Sequence, residues 1–447
     1  MGESVEKFVP EAYNLHKKAV VNEACEHGFI QYCYPKNSPT SGVIQFTVEG
    51  NNEHCILLNK SYVKMRYKIT GKAKRTASSS TTEFDIGAAA NLAKVGPINN
   101  ILHSAFESVD VYLNQQASTK ADRHYPYFAY YDTLATYGEH PLHTYFTLSG
   151  WQKDDSTAMD AADPKVDKST MQKRLSAWNV NEKAYEGEFI GRICSPLFQQ
   201  EKILPTQVTM NIVMKQAKHS FALMHEAGDF ELQITDAVLM IQKVTVIQSI
   251  KESYIKLMEE GHPLHYTLET PTMNYYSLET GSSQFMRDDL FLGKIPKRII
   301  VGMVETAAYH GAGDKNPFNF QHFDLNEIAL YKDGMPYPNP ILKMDFEKNI
   351  YAEAYHNFMK ALGAAYSNSV PPIKKEEYAK GFALFCYNMA PDQSNTVTSA
   401  SVLNMNSNVR LEMKFSKPLA KNVTLLVCGV FENFLEISKD RRVTVSL

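Results

Sequence analysis

The chain has 447 residues, and its 46 lysines and arginines nearly balance its 49 aspartates and glutamates, for a formal net charge of −3. At about 150 residues per domain, this length predicts two or three domains. Hydrophobic residues make up 44% and charged residues 21%, a balance that excludes a disordered or fibrous protein. The near-neutral charge argues against a basic surface that wraps nucleic acid, and we predict no sequence-specific nucleic-acid partner.

Composition also limits where and how the chain folds. No run of 18 apolar residues occurs, so no membrane-spanning helix is predicted, and Met1–Glu6 lacks the basic and apolar parts of a secretory signal. The six cysteines are scattered without a Cys-x-x-Cys pair, which favours buried free thiols in a reducing compartment over a disulfide scaffold. The 25 tyrosines and 23 phenylalanines favour half-buried pleated strands, a first indication of an all-β protein.

Short segments that alternate apolar and polar residues recur along the chain. They are Val63–Thr70, Val208–Ile212, Phe230–Thr235 and Arg410–Phe415. A period of two, with one apolar side, is typical of antiparallel strands that pack one face on a core and leave the other wet. A parallel α/β sheet would instead show continuous apolar runs alternating with long helices.

Three segments predict short helices, namely Tyr125–Tyr137, residues 250–260 and Tyr351–Leu362. Ser249 and Glu252 have the spacing of a capping box at the start of the second helix, and Gly261 supplies its stop. The first and third helices each end at a glycine.

The order of these elements repeats, which predicts an internal duplication. Tyr125–Gly138 aligns with Ile350–Gly363 at an offset of 225 positions. Three further matches follow the same order: Phe106–Leu113 with Phe323–Leu330, Val208–Met214 with Val409–Phe415, and Lys243–Val246 with Arg442–Val445. Their shared order predicts two related β domains of about 200 residues, joined by the helix at 250–260. A two-sheet sandwich or jelly roll suits each half.

Long polar segments interrupt the strand pattern. They are Gly71–Thr82, Trp151–Gly187, Ala364–Tyr378 and Asn388–Asn408, of which Trp151–Gly187 is a charged insertion in the first half. Segments of this length in a compact domain are usually functional or disordered. We expect them to project from one end of each sandwich.

Residues with catalytic or metal-binding chemistry do not form a recognisable set. His140–His143 and His262–His265 both read His-Pro-Leu-His, but the proline disfavours a helical ligand face and no other ligands stand at zinc-site spacing. Cys194 lies in no nucleophile motif, so packing is its predicted role. Asp154–Asp155 and the basic cluster Lys72–Arg75 are predicted to be solvated loops. We therefore predict no catalytic, cofactor-binding or metal-binding residues, and no enzyme.

The second half carries a family resemblance. The segments Phe285–Val304, Asn316–Phe323 and Ile328–Gly334 resemble the major capsid protein of Polinton/Maverick elements and adintoviruses, and the similarity extends through Phe431–Ile437. In the first half the best anchors are Phe106–Asn114 and Leu204–Val208. The resemblance implies an all-β double jelly roll similar in architecture to adenovirus hexon, without catalytic residues.

The resemblance also implies partners and a location. Proteins of this family form homotrimers, and three double rolls give a pseudo-hexagonal capsomer that tiles an icosahedral shell. The implied partners are two further copies of the chain, neighbouring capsomers, and penton and minor capsid proteins. The implied location is the virion capsid, after synthesis in a reducing compartment of the host, the cytoplasm or nucleus.

These observations predict a domain plan and leave one other function open. The plan is an N-terminal arm at 1–43, a first jelly roll at 44–248 with an insertion at 151–187, a linker helix at 249–262, and a second jelly roll at 263–447. Residues 1–43 and Asp440–Leu447 are candidate arms that reach neighbours, with edge strands or tails as the alternative. The other function is a carbohydrate-binding or carbohydrate-degrading β-sandwich, with Trp151 or Trp178 as the sugar platform.

Overall fold

The computed structural model describes residues 24–72, 83–84, 95–118, 124–163, 170–180, 184–226, 228–291, 293–338, 340–364, 370–390 and 408–446. Of the predicted loop Gly71–Thr82, the first two residues end a strand and residues 73–82 lie outside the described residues, as does most of the predicted loop at Asn388–Asn408. Where it is described, the chain is mostly antiparallel β-structure, and the strands fall into two tandem groups.

The first group runs from an edge strand near residue 25 to a long strand that ends at residue 246. Its strands are β1 (Cys25–Cys33), β2 (Val43–Val48), β3 (Cys55–Lys72), β4 (Glu83–Phe84), β5 (Val95–Pro97), β6 (Phe106–Leu113), β7 (Gln116–Ala117), β8 (Asn179–Val180), β9 (Tyr185–Gly191), β10 (Met210–Gln216), β11 (Leu223–His225) and β12 (Asp229–Val246). One sheet has the order β1-β12-β3-β9-β8, with β4 beside β3. A second has the order β2-β10-β6-β7, and β5 pairs with β11 separately.

The second group repeats this plan. Its strands are β13 (Leu264–Leu278), β14 (Gln284–Arg287), β15 (Arg298–Glu305), β16 (Leu325–Lys332), β17 (Met335–Pro336), β18 (Leu342–Lys343), β19 (Leu384–Asn388), β20 (Val409–Phe415), β21 (Val423–Ile437) and β22 (Val443–Ser446). One sheet has the order β13-β21-β15-β19, with β22 beside β21. The other has the order β14-β20-β16-β17, with β18 beside β16.

Both groups have the strand order of a jelly roll. Eight principal strands form the two main sheets of each group: β1, β2, β3, β6, β7, β9, β10 and β12 in the first, and β13, β14, β15, β16, β17, β19, β20 and β21 in the second. When these strands are ranked along the chain, one sheet joins the first, eighth, third and sixth, and the other joins the second, seventh, fourth and fifth. This arrangement is two Greek keys closed into a two-sheet roll. The ranking pairs β1 with β13, β3 with β15, β9 with β19 and β12 with β21 as equivalent strands. We call the two groups the first roll and the second roll.

Alternating burial explains why these segments are strands. In β10, Met210, Ile212 and Met214 are buried while the residues between them are half-exposed. Ile212 stands opposite Phe46 on β2 and Val111 on β6, so three strands contribute to one layer of the core. Strand β20 repeats the alternation with Leu411 and Met413. The period-two prediction for these segments is therefore confirmed.

Short helices lie between the strands, together with 3-10 turns at Pro39–Ser41, Tyr145–Ser149 and Pro196–Gln199. The helices are α1 (Ile101–Ser104), α2 (Tyr125–Thr136), α3 (Glu139–His143), α4 (Thr170–Leu175), α5 (His219–Ala222), α6 (Gln248–Glu259), α7 (Thr306–His310), α8 (Ala352–Ala361) and α9 (Lys375–Tyr378). The three helices predicted from sequence are α2, α6 and α8, each confirmed to within two residues. No helix among the described residues combines the length and apolar character needed to cross a bilayer.

The predicted capping box of α6 is wrong. Ser249 lies inside the helix, because the helix begins at Gln248 with Ile247 at the cap position and no side-chain cap. Glu252 accepts a hydrogen bond of 2.8 Å from the Gln248 side chain instead of capping the backbone. The predicted stop is confirmed, since Gly261 takes a positive φ of +92°, a conformation that glycine adopts without strain.

Three of the four matches that predicted a duplication lie on equivalent elements of the two rolls. Helices α2 and α8 both precede the sixth principal strand of their roll, β6 is equivalent to β16, and β10 is equivalent to β20. The fourth match is wrong. Lys243–Val246 forms the end of β12, whose equivalent in the second roll is the end of β21 at Ile437. Val443–Ser446 is instead an additional strand that pairs with β21. A four-residue apolar alternation is too short to identify a strand uniquely.

The two candidate arms contain paired strands. Cys25–Cys33, which the sequence analysis placed in the arm 1–43, pairs antiparallel with β12 over its whole length. It is the first principal strand of the first roll, so the described part of that roll starts at Cys25 rather than at residue 44. Val443–Ser446 likewise pairs with β21. The edge-strand alternative therefore describes both of these segments.

The insertion at 151–187 does not project as a polar loop. Trp151 and Met171 are buried, and so is Asp154, which the sequence analysis placed in a solvated loop. Asp155 is exposed, as predicted. The insertion ends in β8 and the start of β9, which pair with each other. The described part of the insertion packs as part of the structure because Met171 and Trp178 contact the first roll and the Asp154–Arg174 ion pair is buried.

Candidate functional site

Helix α2 of the first roll joins the two rolls through an aromatic cluster. The rings of Tyr130 and Phe318 stack with 4.4 Å between centroids and an interplanar angle of 9°. Tyr127 meets Phe318 edge-on at 5.7 Å, and Tyr131 lies 5.4 Å from Phe320. All five residues are buried. Aromatic pairs in these geometries contribute both buried area and ring-ring attraction, so α2 anchors the second roll.

Polar contacts from the insertion reinforce the same junction. Lys153 Nζ donates to both carboxylate oxygens of Glu377 at 2.7 and 2.8 Å. Asp160 accepts hydrogen bonds from the Asn316 backbone N–H at 2.9 Å and from the Asn319 side chain at 3.2 Å. Lys315 Nζ lies 3.6 Å from Asp160. Lys153 and Asp160 of the insertion thus contact four residues of the second roll and fix it against the first.

A buried ion pair holds the insertion in this position. Arg174 and Asp154 are only 4% and 3% exposed, and the guanidinium donates to the carboxylate. Arg174 also donates to the Pro97 carbonyl at 3.1 Å, and Asn99 donates to Asp154 at 3.2 Å. Burial raises the pKa of Asp154, and the Arg174 charge is the leading influence that lowers it again. The carboxylate depends on Arg174 to remain charged inside the protein.

The outward face of the sheet β13-β21-β15-β19 is covered by the first roll, and we call it the covered sheet face. Ile300 on β15 stands between Cys386 on β19 and Cys428 on β21, and all three are buried. A Cβ on Gly302, two residues along β15 from Ile300, would lie 2.8 Å from the Tyr131 hydroxyl. Because one face packs on the core and the other on α2, residues 423–430 of β21 are buried without alternation.

The free edge of β13 is also occupied by the first roll. Gln200 donates to the Thr267 carbonyl, and Lys202 Nζ donates to the His265 carbonyl at 2.7 Å. The Tyr266 hydroxyl donates to the Ile203 carbonyl at 2.8 Å. Residues 200–203, which connect β9 to β10, thus satisfy polar groups that an edge strand would otherwise present to water.

Among the described residues, the outer side of the equivalent sheet β1-β12-β3-β9 of the first roll exposes apolar side chains at its β1 edge, and we call this side the open sheet face. Tyr32 on β1 stands opposite Met240 on β12, and Met240 stands opposite Tyr62 on β3. Large apolar residues of this edge are widely exposed: Phe29 at 41%, Ile30 at 49%, Tyr32 at 57% and Tyr34 at 68%. Tyr32 lies on the same side of the sheet as Lys64 and Arg66 of β3, which pair with Glu188 of β9, so the apolar exposure is confined to the β1 edge of this face.

The remaining candidate residues do not assemble into a site for chemistry. Among the described residues, no group of three or more histidine, cysteine or carboxylate side chains is placed to hold a metal ion. His143 of the first His-Pro-Leu-His pair lies 3.9 Å from Glu139, and His265 of the second lies 3.2 Å from Glu436. Each pair thus has a nearby carboxylate.

Cys194 packs beside a carboxylate that suppresses its reactivity. Its thiol donates to Asp132 at 3.5 Å, and Gln199 donates to the same carboxylate oxygen at 2.9 Å. Burial, followed by the charge of Asp132, raises the pKa of Cys194 well above its usual range. The thiolate is the nucleophilic form, so this arrangement disfavours nucleophilic chemistry at Cys194.

The two tryptophans named for the carbohydrate alternative are not available as sugar platforms. Trp151 is 1% and Trp178 is 6% exposed. Trp151 packs 5.2 Å from Tyr130, and Trp178 packs 5.3 Å from Phe189. Trp151 is therefore buried at the junction, and Trp178 is buried in the first roll.

His103, near the junction, gives the first roll a predicted sensitivity to acid. It is buried, its Nδ1 lies 2.8 Å from the Tyr125 hydroxyl, and burial lowers the pKa of His103 to about 4. An unfolded histidine titrates near 6.5, so below that pH the unfolded chain binds a proton that the folded chain excludes. Stability is complete above pH 6.5 and falls as the pH drops towards 4, by about 2 kcal/mol at pH 5.

Urea denaturation at pH 7.5 and pH 5 tests this expectation in the wild type and in His103→Gln, whose amide can keep a hydrogen bond to Tyr125. The wild type should lose about 2 kcal/mol more than the variant between the two pH values. Equal losses in the two proteins would show that His103 does not exclude the proton.

Comparisons with known proteins agree with this architecture over the whole chain. A chain in the 3.5 Å cryo-EM structure of the Sputnik virophage superposes with a TM-score of 0.67 at 12% identity, covering 100% of this chain and 93% of that one. The mavirus major capsid protein gives 0.54 at 13% identity over 100% and 97%, and the Faustovirus major capsid protein gives 0.60 at 10% over 95% and 93%. The fold is the double jelly roll.

Sequence comparison adds a relative from an animal. Uncharacterized protein F54H12.2 of Caenorhabditis elegans is 21% identical over 401 residues, which are 89% of this chain and 90% of the relative. No family model matches the chain. The predicted fold class is confirmed by the structural comparisons, whose sequence identities are low enough that they establish the double jelly roll and nothing finer.

Sequence reasoning did not identify the contact surfaces of the double jelly roll. The signal for the open sheet face was present in the sequence. Four large apolar residues stand within six positions in and just after β1, without alternation: Phe29, Ile30, Tyr32 and Tyr34. The signal for the junction was present as well, because Tyr125–Tyr137 is aromatic on all sides and therefore predicts a helix buried all round.

Proposed function

We propose that this protein is a structural major capsid protein that forms pseudo-hexagonal homotrimeric capsomers of an icosahedral shell. The observation that carries the proposal is the complete double jelly roll, which resembles the mavirus and Faustovirus major capsid proteins along essentially their whole length. A subunit with two similar lobes gives six lobes around a threefold axis, which suits hexagonal tiling. Such a protein works by surface complementarity and needs no catalytic residue.

The junction geometry supports this function. A capsomer needs its two rolls held in a fixed relation, because the subunit's shape determines how copies meet. The aromatic stack at Tyr130 and Phe318 and the insertion contacts of Lys153 and Asp160 provide that rigidity. The open sheet face supplies apolar surface for contact with another copy.

Light scattering of the purified full-length chain tests the proposed assembly. We expect a stable particle of three times 50.5 kDa at neutral pH and moderate salt. A monomer at every protein concentration and salt concentration tried would contradict the homotrimer.

We also propose the finer assignment to the major capsid proteins of Polinton/Maverick elements and adintoviruses. The resemblance of Phe285–Val304 and Asn316–Phe323 supports it. Mapping the gene's genomic neighbourhood tests it. Flanking viral or mobile-element genes would support the assignment, and a neighbourhood free of such genes would oppose it.

The domain plan follows the strand order, and we propose it in revised form. The first roll spans residues 25–246, helix α6 links the rolls, and the second roll spans residues 264–446. We propose the virion capsid as the location, with neighbouring capsomers and penton and minor capsid proteins as further partners. Four of the six cysteines are buried and none forms a disulfide, which suits synthesis in a reducing compartment.

A further inference from the structure

A groove opens at the side of the second roll where the outer strands of its two sheets come together. Among the described residues, β13 is the outer strand of one sheet and β14 is the outer strand of the other. Both strands line the groove, together with the segment that follows β14 and the side chains of Phe431 and Asn433 on β21. Its volume of about 920 Å³ lies within the range of sites for small molecules. We call it the β13 groove.

The lining of the β13 groove includes two buried polar side chains. Thr270 and Asn433 are each 5% exposed, and they lie on one side of the sheet because Thr270 stands opposite Phe431 and Asn433 stands opposite Leu268. Among the residues that the structure describes, neither the Thr270 hydroxyl nor the Asn433 side chain has a hydrogen-bond partner. Buried polar groups in proteins are normally bonded, so this pair indicates that a polar molecule belongs in the groove.

Aromatic rings supply a second part of the lining. Tyr275 is 57% exposed, and its ring stacks on Tyr309 of α7 with 5.7 Å between centroids and an interplanar angle of 30°. The next residue of β13, Tyr276, has the Arg287 guanidinium 5.5 Å from its ring centroid. An exposed ring that is held by a neighbouring ring offers a rigid flat surface with little conformational freedom to lose on binding. The C–H faces of pyranose rings pack on surfaces of this kind.

The charges of the β13 groove balance. Arg287 and Lys294 line it together with Asp288 and Asp289. A phosphate group would meet the two carboxylates, and an ammonium group would meet the two basic side chains, so neither kind of ion is favoured. An acyl chain would leave the buried polar side chains unsatisfied. A neutral ligand rich in hydroxyls fits all of these groups, because a hydroxyl donates to a carboxylate and accepts from a guanidinium or an ammonium.

Tyr275 also lines a second cleft, which lies between the two rolls and has a volume of about 350 Å³. Glu107 and Lys218 of the first roll and His310 of the second contribute polar groups to this cleft. One carboxylate and one ammonium repeat the charge balance of the β13 groove. Because Tyr275 borders both spaces, a ligand of two or more sugar rings that stacks on Tyr275 reaches polar groups on either side of it.

We propose that the β13 groove binds a neutral oligosaccharide. Tyr275 is the stacking platform, the side chains of Asn433 and Thr270 bond hydroxyls in the buried part of the groove, and Asp289 bonds hydroxyls at its rim. The site is separate from Trp151 and Trp178, the platforms expected from the sequence, which are buried. Glycan recognition is a further activity of the subunit, and it does not depend on the proposed trimer.

Saturation-transfer NMR of the full-length protein with four neutral disaccharides (cellobiose, lactose, maltose and N,N′-diacetylchitobiose) tests the proposal. We expect transfer to the ring C–H protons of at least one of them. Tyr275→Ala should weaken its binding at least ~10-fold, since the stacking surface is lost, and Tyr275→Trp should retain binding. Phe434→Ala is the matched control, because Phe434 is 44% exposed on β21 and is not part of the groove lining.

Thermal melting of each variant accompanies the NMR titrations. Tyr275 and Phe434 are exposed, so both alanine variants should melt at the wild-type temperature. The proposal is overturned if none of the four disaccharides shows transfer at millimolar concentration. It is also overturned if Tyr275→Ala binds as tightly as wild type, or if Phe434→Ala weakens binding as much as Tyr275→Ala does.

Discussion

Replacing Arg174 with methionine is expected to lower the free energy of unfolding by about 3–5 kcal/mol, because the Asp154 carboxylate would then be buried without its counter-charge. Methionine fills much of the same volume, so the loss is mainly electrostatic. Asp154 would keep neutral hydrogen-bond donors, such as Asn99 at 3.2 Å, but no cation to balance its charge. Urea denaturation at pH 7 measures the change.

A double variant separates the charge effect from packing. Arg174→Met combined with Asp154→Asn removes both charges, keeps the side-chain shape of residue 154, and should recover most of the lost stability. Acid should also rescue the single variant in part, because burial raises the pKa of Asp154 and protonation removes the unpaired charge. If the single and double variants are equally unstable, the ion pair does not hold the insertion in the manner proposed.

The second large effect is expected at the junction, where Phe318→Ala should cost about 3–5 kcal/mol. Phe318 is fully buried, stacks on Tyr130 and meets the edge of Tyr127, so its removal leaves a cavity between the two rolls. Because this ring connects the rolls, we also expect their unfolding to separate into two transitions in differential scanning calorimetry.

Phe358→Ala is the matched control for this effect. Phe358 is equally buried but lies on the side of α8 that faces its own roll, where its ring packs 5.6 Å from Tyr378. This variant should lose similar stability while the rolls remain coupled in one transition. If Phe318→Ala unfolds as one transition with a loss below about 1 kcal/mol, the aromatic cluster is not what joins the rolls.

Local patterns were sufficient to predict strands that bury one face only and the three longer helices. Strands such as β10 and β20 bury one face only, so their composition alternates and the period is readable. Strand β1 was missed because apolar residues occupy both of its faces, with Phe29 on one side and Ile30 and Tyr32 on the other.

The insertion and the junction were not predictable for a different reason. The pairing of Asp154 with Arg174, and of Lys153 with Glu377, joins residues that are respectively 20 and 224 positions apart. A charged residue in a polar segment is usually solvated, and only the three-dimensional position of the segment shows that these residues are buried or bridged. The duplication could be read from sequence, but which surfaces it leaves open could not.

Negative-stain electron microscopy of the purified full-length protein tests the central claim most directly. The account predicts particles with a hexagonal outline and six lobes around a threefold axis, with each of the three chains supplying two adjacent lobes. A uniform field of separate two-lobed particles, at concentrations where capsid proteins assemble, would contradict the account.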